Sequence, residues 1–327
     1  MKKILFNGFR HSHIDSLYRL VEASDVFAVA GCIEANDAAR ANAEKNLGAV
    51  FSQESYDHWL TTDIDIVAIG GAYGDRGEAI IKALQAGKHV IADKPICTSL
   101  DQLATIKTLC REKGLSIQCM LDLRYLPQTL AAKRLLAGGQ LGQVRNIAFN
   151  GQHCLDYGNR PGWYFESGMH GGTINDIAIH GVDLVRMLTD MEFSGIDAAR
   201  TWNAYAKEVP HFQDSALFMA RLENGAGVMA DVSYAAPKTG DFLPTYWEFR
   251  IWCDQGLITF NWRDPFISVY TNGCSQPDIL RWEESTGGYL PELLAELETG
   301  VKAATENVLR STETVLQIQA AADKEKV

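Results

Sequence analysis

The chain has 327 residues, 46% of them hydrophobic and 22% charged, with a formal net charge of −11; that length suggests two domains of ordinary globular composition. Scattered lysines and arginines in an acidic chain argue against a nucleic-acid or membrane-surface partner, and no apolar run approaches the roughly 20 residues of a membrane span. The run after Met1 breaks at Asn7-Gly8, and the seven cysteines are odd in number, widely spaced and without CxxC, so a cytoplasmic protein with reduced thiols is expected. Over the first 120 residues, apolar runs predict strands at 3–6, 26–33, 64–69, 89–92 and 115–120. Amphipathic stretches between them predict helices at 12–21, 37–46, 78–86 and 101–112. This alternation implies right-handed βαβ units and a doubly wound parallel sheet. After about residue 122 a helix is expected at 128–136, then longer strands at 144–152, 215–222, 227–233, 246–253 and 257–260. A helix at 173–188 interrupts them, and helices at 291–304 and 308–322 close the chain. Trp247, Phe249, Ile251 and Cys253 alternate with charged Glu248 and Arg250, and Asn224-Gly225 and Gln255-Gly256 read as hairpin turns. The expected fold class is therefore α/β. A parallel-sheet domain covers 1–121, and an α+β domain with an open, mostly antiparallel sheet covers 122–327.

A dinucleotide needs a tight strand-to-helix turn where backbone approaches its diphosphate. The turn here, Asn7-Gly8-Phe9-Arg10-His11-Ser12-His13, keeps only the first glycine of the G-x-G-x-x-G fingerprint of a Rossmann domain. Gly8 permits the turn, Ser12 can cap the helix and offer a hydroxyl to phosphate, and Arg10 faces outward or onto the diphosphate. His11 and His13 read as surface or helix-start residues. Glu34 ends the second strand, where a carboxylate accepts hydrogen bonds from ribose hydroxyls and repels a 2′-phosphate. NAD is accordingly expected, with NADP as the alternative.

Lys94 lies just past the strand at 89–92, the edge at which ligands bind in open α/β sheets. Pro95 restricts its backbone to extended geometry. In Gly171–Asp183, Asp176 and His180 are four residues apart and share a helix face. The same pair has metal-ligand spacing, but no third ligand is evident nearby, and no metal is expected.

These residues carry a resemblance. The segments AGKHVIADKP (86–95), LRYLP (123–127), GGQLGQVRNI (138–147), GGTINDIAIHGVDLVRML (171–188) and RLENGAGVMADVSY (221–234) resemble the Gfo/Idh/MocA family, the glucose–fructose oxidoreductase and inositol dehydrogenase group. The resemblance implies a Rossmann domain, an open-faced mixed sheet, and a site where Lys94, Asp176 and His180 surround a substrate hydroxyl beside a nicotinamide. Cofactor contacts are expected from Gly8, Phe9, Arg10, Ser12, Glu34, Gly71, Ala72, Asp93 and Lys94. The chain departs from the family at Asp93, where Glu is usual, and at Gly71–Arg76, which replaces the customary Thr-Pro-Asn-x-x-His loop.

The expected reaction is hydride transfer between nicotinamide and a secondary alcohol of a sugar, polyol or cyclitol. His180 is expected as the base, Lys94 as the partner of the reacting oxygen or, if the site lowers its pKa, as the base itself, and Asp176 as the orienting group. Arg124, Tyr157, Arg160 and Trp163 are expected on the substrate, together with Asp176 and His180; His153, Asp156 and Tyr164 are further candidates. Two alternatives stay open on the same scaffold: a glycoside-cleaving enzyme with transient redox, and a non-catalytic sensor. Aromatic side chains on the second sheet predict association into a homodimer or homotetramer.

Overall fold

The computed structural model describes residues 1–238, 243, 246–281, 285 and 287–324. Packing divides the chain into two units. The first holds Met1–Met120, Pro161–Gly171 and Tyr289–Thr312, and the second holds Leu121–Arg160, Gly172–Gly288 and Glu313–Val327. The stretches 161–171 and 289–312 thus pack with the first unit, where sequence alone groups them with everything after 121.

In the first unit, β1 (Lys2–Asn7), β2 (Phe27–Ile33), β3 (Ile66–Ile69), β4 (His89–Ala92) and β5 (Ile117–Cys119) form an all-parallel sheet in the order β2-β1-β3-β4-β5. Between them run α1 (His13–Glu22), α2 (Asp37–Leu47), α3 (Tyr56–Leu60), α4 (Tyr73–Gln85) and α5 (Leu100–Lys113). All four β3 residues are buried, as expected for a strand covered on both faces. On α1, Ile14, Leu17, Tyr18 and Val21 recur at helical spacing and form its buried stripe. Asn36 and Ser99 cap α2 and α5 by accepting the N–H groups of Ala39 and Gln102. Helix α4 starts five residues before the stretch 78–86 read from periodicity, because Gly74 and Gly77 blur the pattern. A Cβ on Gly77 would stand 2.3 Å from the Gln102 side chain, so glycine there lets α4 and α5 approach closely. The strand order reverses direction at β1 and β3, which makes the carboxyl ends of those two strands the crevice of the sheet.

The second unit contains α6 (Pro127–Ala137), β6 (Val144–Gln152), a π-helical turn (Ile174–Ala178) and α7 (Ile179–Thr189). Its other strands are β7 (Phe193–Trp202), β8 (Ser215–Leu222), β9 (Gly227–Ser233), β10 (Phe249–Cys253), β11 (Gly256–Phe260), β12 (Phe266–Thr271) and β13 (Asp278–Arg281). They form one sheet in the order β13-β12-β11-β10-β6-β9-β8-β7, with β6 and β9 parallel and the other neighbours antiparallel. Strands β7, β12 and β13 escape the sequence reading. The two edge strands lack regular apolar alternation, and all four β13 residues are exposed. The strand expected from 246 begins only at Phe249, so Tyr246 lies off it in a turn with Trp247. On β8, Ala216, Phe218, Ala220 and Leu222 are buried, while Leu217, Met219 and Arg221 face out. Helix α7 lies against β6 at Gly181, where a Cβ would sit 2.1 Å from the Phe149 ring.

Helices α8 (Tyr289–Thr299) and α9 (Ala303–Lys324) end the chain. In the first unit they cover the edge strand β5: Ile117 N donates to Thr305 Oγ1 at 3.0 Å, and Glu296 accepts the Thr305 backbone N–H at 2.7 Å. A covered edge cannot recruit a further strand, and this bond is why 289–312 belongs with the sheet it follows so late in the chain. All seven cysteines are free thiols, four of them buried. No helix among the described residues is long and apolar enough to cross a membrane.

Candidate active site

The first unit builds its crevice from the loops after β1, β3 and β4. Gly8 adopts φ +93°, and a Cβ there would stand 2.6 Å from Gly71 N, so only glycine lets these two loops meet. Gly71 itself has open space where its side chain would be. Ala72 is buried and caps α4, leaving its backbone as the part that reaches the crevice. Phe9 turns its ring into the core against Phe51 and Tyr18, so only its backbone is at the turn. Its N–H donates to Glu34 Oε2 at 2.6 Å, and Glu34 Oε1 accepts Asn36 N–H at 2.7 Å. Each carboxylate oxygen keeps a lone pair for a further donor. Ser12 does not cap α1: its own backbone is helical (φ −65°, ψ −18°) and its side chain makes no capping bond. A glycine turn, an open-sided glycine, a helix start without a side-chain cap and a carboxylate ending β2 fit a diphosphate-linked dinucleotide.

Beneath this turn is a polar cluster that sequence reasoning missed. Asp93 is fully buried, and its carboxylate accepts from Arg76 Nη2 at 2.9 Å while facing His11 Nδ1 at 2.7 Å and His13 Nδ1 at 2.9 Å. Burial pushes the Asp93 carboxyl upward, but Arg76 and then the two histidines outweigh it and hold it well below the usual carboxylate range. Burial also pushes the His11 imidazole down to about 4, against the pull of Asp93. The expectation of Asp93 as a cofactor contact gives way here, since its carboxylate is engaged inside the unit. His13 does start α1, as read from sequence, but both imidazoles turn Nδ1 inward to Asp93. Arg76, wholly buried, also donates to the carbonyls of Gly71, Lys94 and Pro95, and lies over the Tyr73 ring. It ties the β3 loop to the β4 loop. Lys94 follows β4 as expected; it is 4% exposed, with Nζ 5.7 Å from the centre of the Tyr73 ring. Its peptide bond to Pro95 is cis.

The stretch 161–171 closes over this cluster. Trp163 donates Nε1–H to Arg10 O at 3.2 Å and packs on Tyr73, and Tyr164 shares a 2.7 Å hydrogen bond with the Tyr73 hydroxyl. Both rings are 2% exposed, so Trp163, expected to stack on substrate, has no free face and braces the first turn instead.

The second unit places Asp176 in the π-helical turn and His180 in the first turn of α7. Widened π-helical turns recur at functional positions. Here the turn is held by Gln319, whose Oε1 accepts Ile174 N–H at 3.1 Å. Asp176 and His180 are 2% and 7% exposed. The Tyr234 hydroxyl, unrecognised from sequence although it ends the RLENGAGVMADVSY segment, donates to Asp176 Oδ2 in a short hydrogen bond. Trp247 packs edge-on to His180 at 5.5 Å and to His153 at 6.0 Å between ring centres. Its φ is +52°, rare for a bulky aromatic and costing about 1–3 kcal/mol, a strain characteristic of functional positions.

The expected substrate arginines are otherwise engaged. Arg124 Nη1 donates to both oxygens of buried Asp183, at 2.9 and 3.2 Å, and so anchors α7. Arg160 donates to Leu155 O and Cys154 O and lies 4.9 Å over the Tyr234 ring, which braces the Asp176 partner. Tyr157 is exposed. Asp156 pairs with Lys238 at 2.7 Å.

Two family models match the chain. Residues 7–120 match an oxidoreductase family with an NAD-binding Rossmann fold, and residues 129–259 match the GFO/IDH/MocA C-terminal domain. A levoglucosan dehydrogenase from Pseudarthrobacter phenanthrenivorans is 26% identical over 257 residues, covering 70% of this chain and 64% of the relative. A scyllo-inositol 2-dehydrogenase (NAD(+)) from Bacillus subtilis is 27% identical over 192 residues, covering 58% of this chain and 55% of its own length. The chain therefore spans less than two thirds of the length of these curated relatives. Among solved structures, a levoglucosan dehydrogenase in complex with NADH and levoglucosan has a TM-score of 0.82 at 20% identity, covering 99% of this chain and 97% of that one. At that identity the likeness shows a shared fold.

Proposed function

Because the chain belongs to the Gfo/Idh/MocA family of oxidoreductases, we propose that it transfers a hydride between a nicotinamide cofactor and a secondary alcohol of a sugar, polyol or cyclitol. The observation that carries this reading is the burial of Asp176 and His180 beside Tyr234 and the strained Trp247. Buried ionisable groups held in specific contacts are candidates for a functional site.

In this reading Lys94, Asp176 and His180 act on the substrate hydroxyl, and the division of labour falls at 121/122, cofactor before and substrate after. The bound nicotinamide supplies the two-electron acceptor for the carbinol hydrogen. His180 takes the hydroxyl proton, imidazole being the side chain that exchanges protons nearest neutral pH. Lys94 hydrogen-bonds the same oxygen and steadies its developing negative charge, while Asp176, positioned by Tyr234, orients neighbouring hydroxyls. Backbone at Gly8, Phe9, Ser12, Gly71 and Ala72, with the Arg10 side chain, holds the dinucleotide. Glu34 takes a ribose hydroxyl, and its charge selects NAD over NADP. The same proposal includes a cytoplasmic location, consistent with seven free thiols. It also includes a homo-oligomer formed through the second sheet, where Leu217, Met219, Met229 and Trp252 are exposed.

Reduced-nicotinamide absorbance measured against a panel of sugars and cyclitols tests the activity. His180→Ala then lowers turnover by about 10²–10⁴, the usual worth of general acid–base help. Turnover within a fewfold of wild type in that variant would sink the assignment of His180, and no reaction with any member of the panel would sink the reading itself.

A further inference from the structure

The cluster of His11, His13 and Asp93 has a property that the proposed reaction does not use. Among the described residues, these three side chains bring one ligand atom each to within 4.8 Å of one another. Each imidazole turns Nδ1 to a different oxygen of the same carboxylate, and the ring centres are 4.4 Å apart at an interplanar angle of 79°. We propose that His11, His13 and Asp93 form a binding site for a divalent transition ion of the zinc class, clamping the first turn and the start of α1 to the end of β4.

Two imidazoles and one carboxylate are a donor set that zinc accepts, with metal–ligand bonds of about 2.0–2.1 Å and a fourth position left for water or another ligand. Tetrahedral bonds of that length separate ligand atoms by about 3.3 Å. The two histidine–carboxylate spacings of 2.7 and 2.9 Å therefore open by about half an ångström, within the reach of small side-chain rotations. Arg76 occupies the position that a supporting group takes around a metal-bound carboxylate, donating to Asp93 Oδ2 from the buried side.

Charge decides the class of ion. Arg76 already balances Asp93, and the site carries no surplus negative charge to draw a hard cation such as magnesium. Affinity must come from the two nitrogen donors, which favours zinc, cobalt or nickel over magnesium or calcium. Access is through His13, whose side chain is 34% exposed, while that of His11 is 13% exposed. The short spacing His-x-His across the turn is visible in the sequence, but its third ligand is 80 residues away and enters only through the sheet.

The test uses the full chain, stripped with a chelator and titrated with Zn²⁺, Co²⁺ and Mg²⁺ in the absence of nicotinamide cofactor. The expected result is one equivalent of Zn²⁺ per chain by calorimetry, a visible Co²⁺ absorption band, a rise in melting temperature with Zn²⁺, and no uptake of Mg²⁺. His13→Ala, at the more exposed position, and His11→Asn each weaken Zn²⁺ binding at least tenfold. Absence of stoichiometric Zn²⁺ and Co²⁺ uptake by the wild type overturns the proposal. So does uptake that both variants retain, because the ion would then lie elsewhere. Neither result bears on the hydride-transfer reading, which is measured by cofactor absorbance.

Discussion

Replacing Arg76 by methionine keeps an unbranched apolar stem but shortens the side chain and removes every donor. In the native first unit this guanidinium is wholly buried and holds Gly71 O at 2.8 Å, Pro95 O at 3.3 Å, Lys94 O, and Asp93 Oδ2 at 2.9 Å. The variant leaves a fully buried carboxylate without its charge partner, and breaking such a pair from one side costs about 3–5 kcal/mol. The orphaned carbonyls add to that, against a total stability of about 5–15 kcal/mol for a typical domain. Arg76→Lys keeps the charge but loses the planar fork that reaches several acceptors together, so it falls between wild type and methionine. The pair Arg76→Met and Asp93→Asn removes both charges, and it destabilises by less than the sum of the single changes because the buried charge is gone. Urea unfolding followed by far-ultraviolet circular dichroism gives the stabilities of wild type, of the three single variants including Asp93→Asn alone, and of the pair. A methionine variant within 1 kcal/mol of wild type would refute the reasoning, since it would show that Asp93 does not depend on Arg76.

Acid should destabilise the first unit well before its carboxylates titrate. His11 and His89 are both pushed down to about 4, chiefly by burial, and His89 Nδ1 accepts Ser116 N–H, a bond that protonation breaks. A lowered histidine pKa means that the folded form disfavours the proton, so the contribution is whole above about 6.5 and is lost as pH falls toward 4. For His11 alone the loss amounts to roughly 3 kcal/mol over that window, and a melting temperature unchanged between pH 7 and pH 5 would contradict it. Tyr234→Phe removes the hydroxyl that donates to Asp176; a buried bond to a charged group is worth about 1.5–3 kcal/mol. Steady-state kinetics should show kcat/KM down about tenfold or more with a shifted pH profile, and an unchanged profile would deny Tyr234 its positioning role. Gly181→Ala places a methyl 2.1 Å from the Phe149 ring, which is itself stacked on Phe249. Overpacking of this kind costs roughly 1–3 kcal/mol, so thermal unfolding at lower temperature is expected, and a wild-type melting point would mean that α7 yields freely.

The chain's local chemistry determines much of this protein. Unbroken apolar runs alternating with amphipathic stretches specify a parallel sheet, because strands covered by helices are buried on both faces while each helix has one stripe to bury. Gly8, Lys94, Asp176 and His180 stand out from position alone: a glycine in a tight turn, a lysine after a buried strand, and two ionisable groups one helical turn apart. Edge strands β7 and β13 are illegible for the converse reason, since residues with little to bury carry no periodic signal. What only the tertiary structure decided is partnership over long separations. Sequence cannot show that Asp93 binds both His11 and His13, that Arg76 bridges two loops beneath them, or that Tyr234 supports Asp176. Trp163 and Arg124, chosen from composition as sugar-binding types, proved to be a brace for Arg10 and an anchor for Asp183. A side chain's type says what it can bond, while folding selects its partner from those brought within 3 Å, and that selection depends on sheet order and close packing rather than on neighbours in the chain.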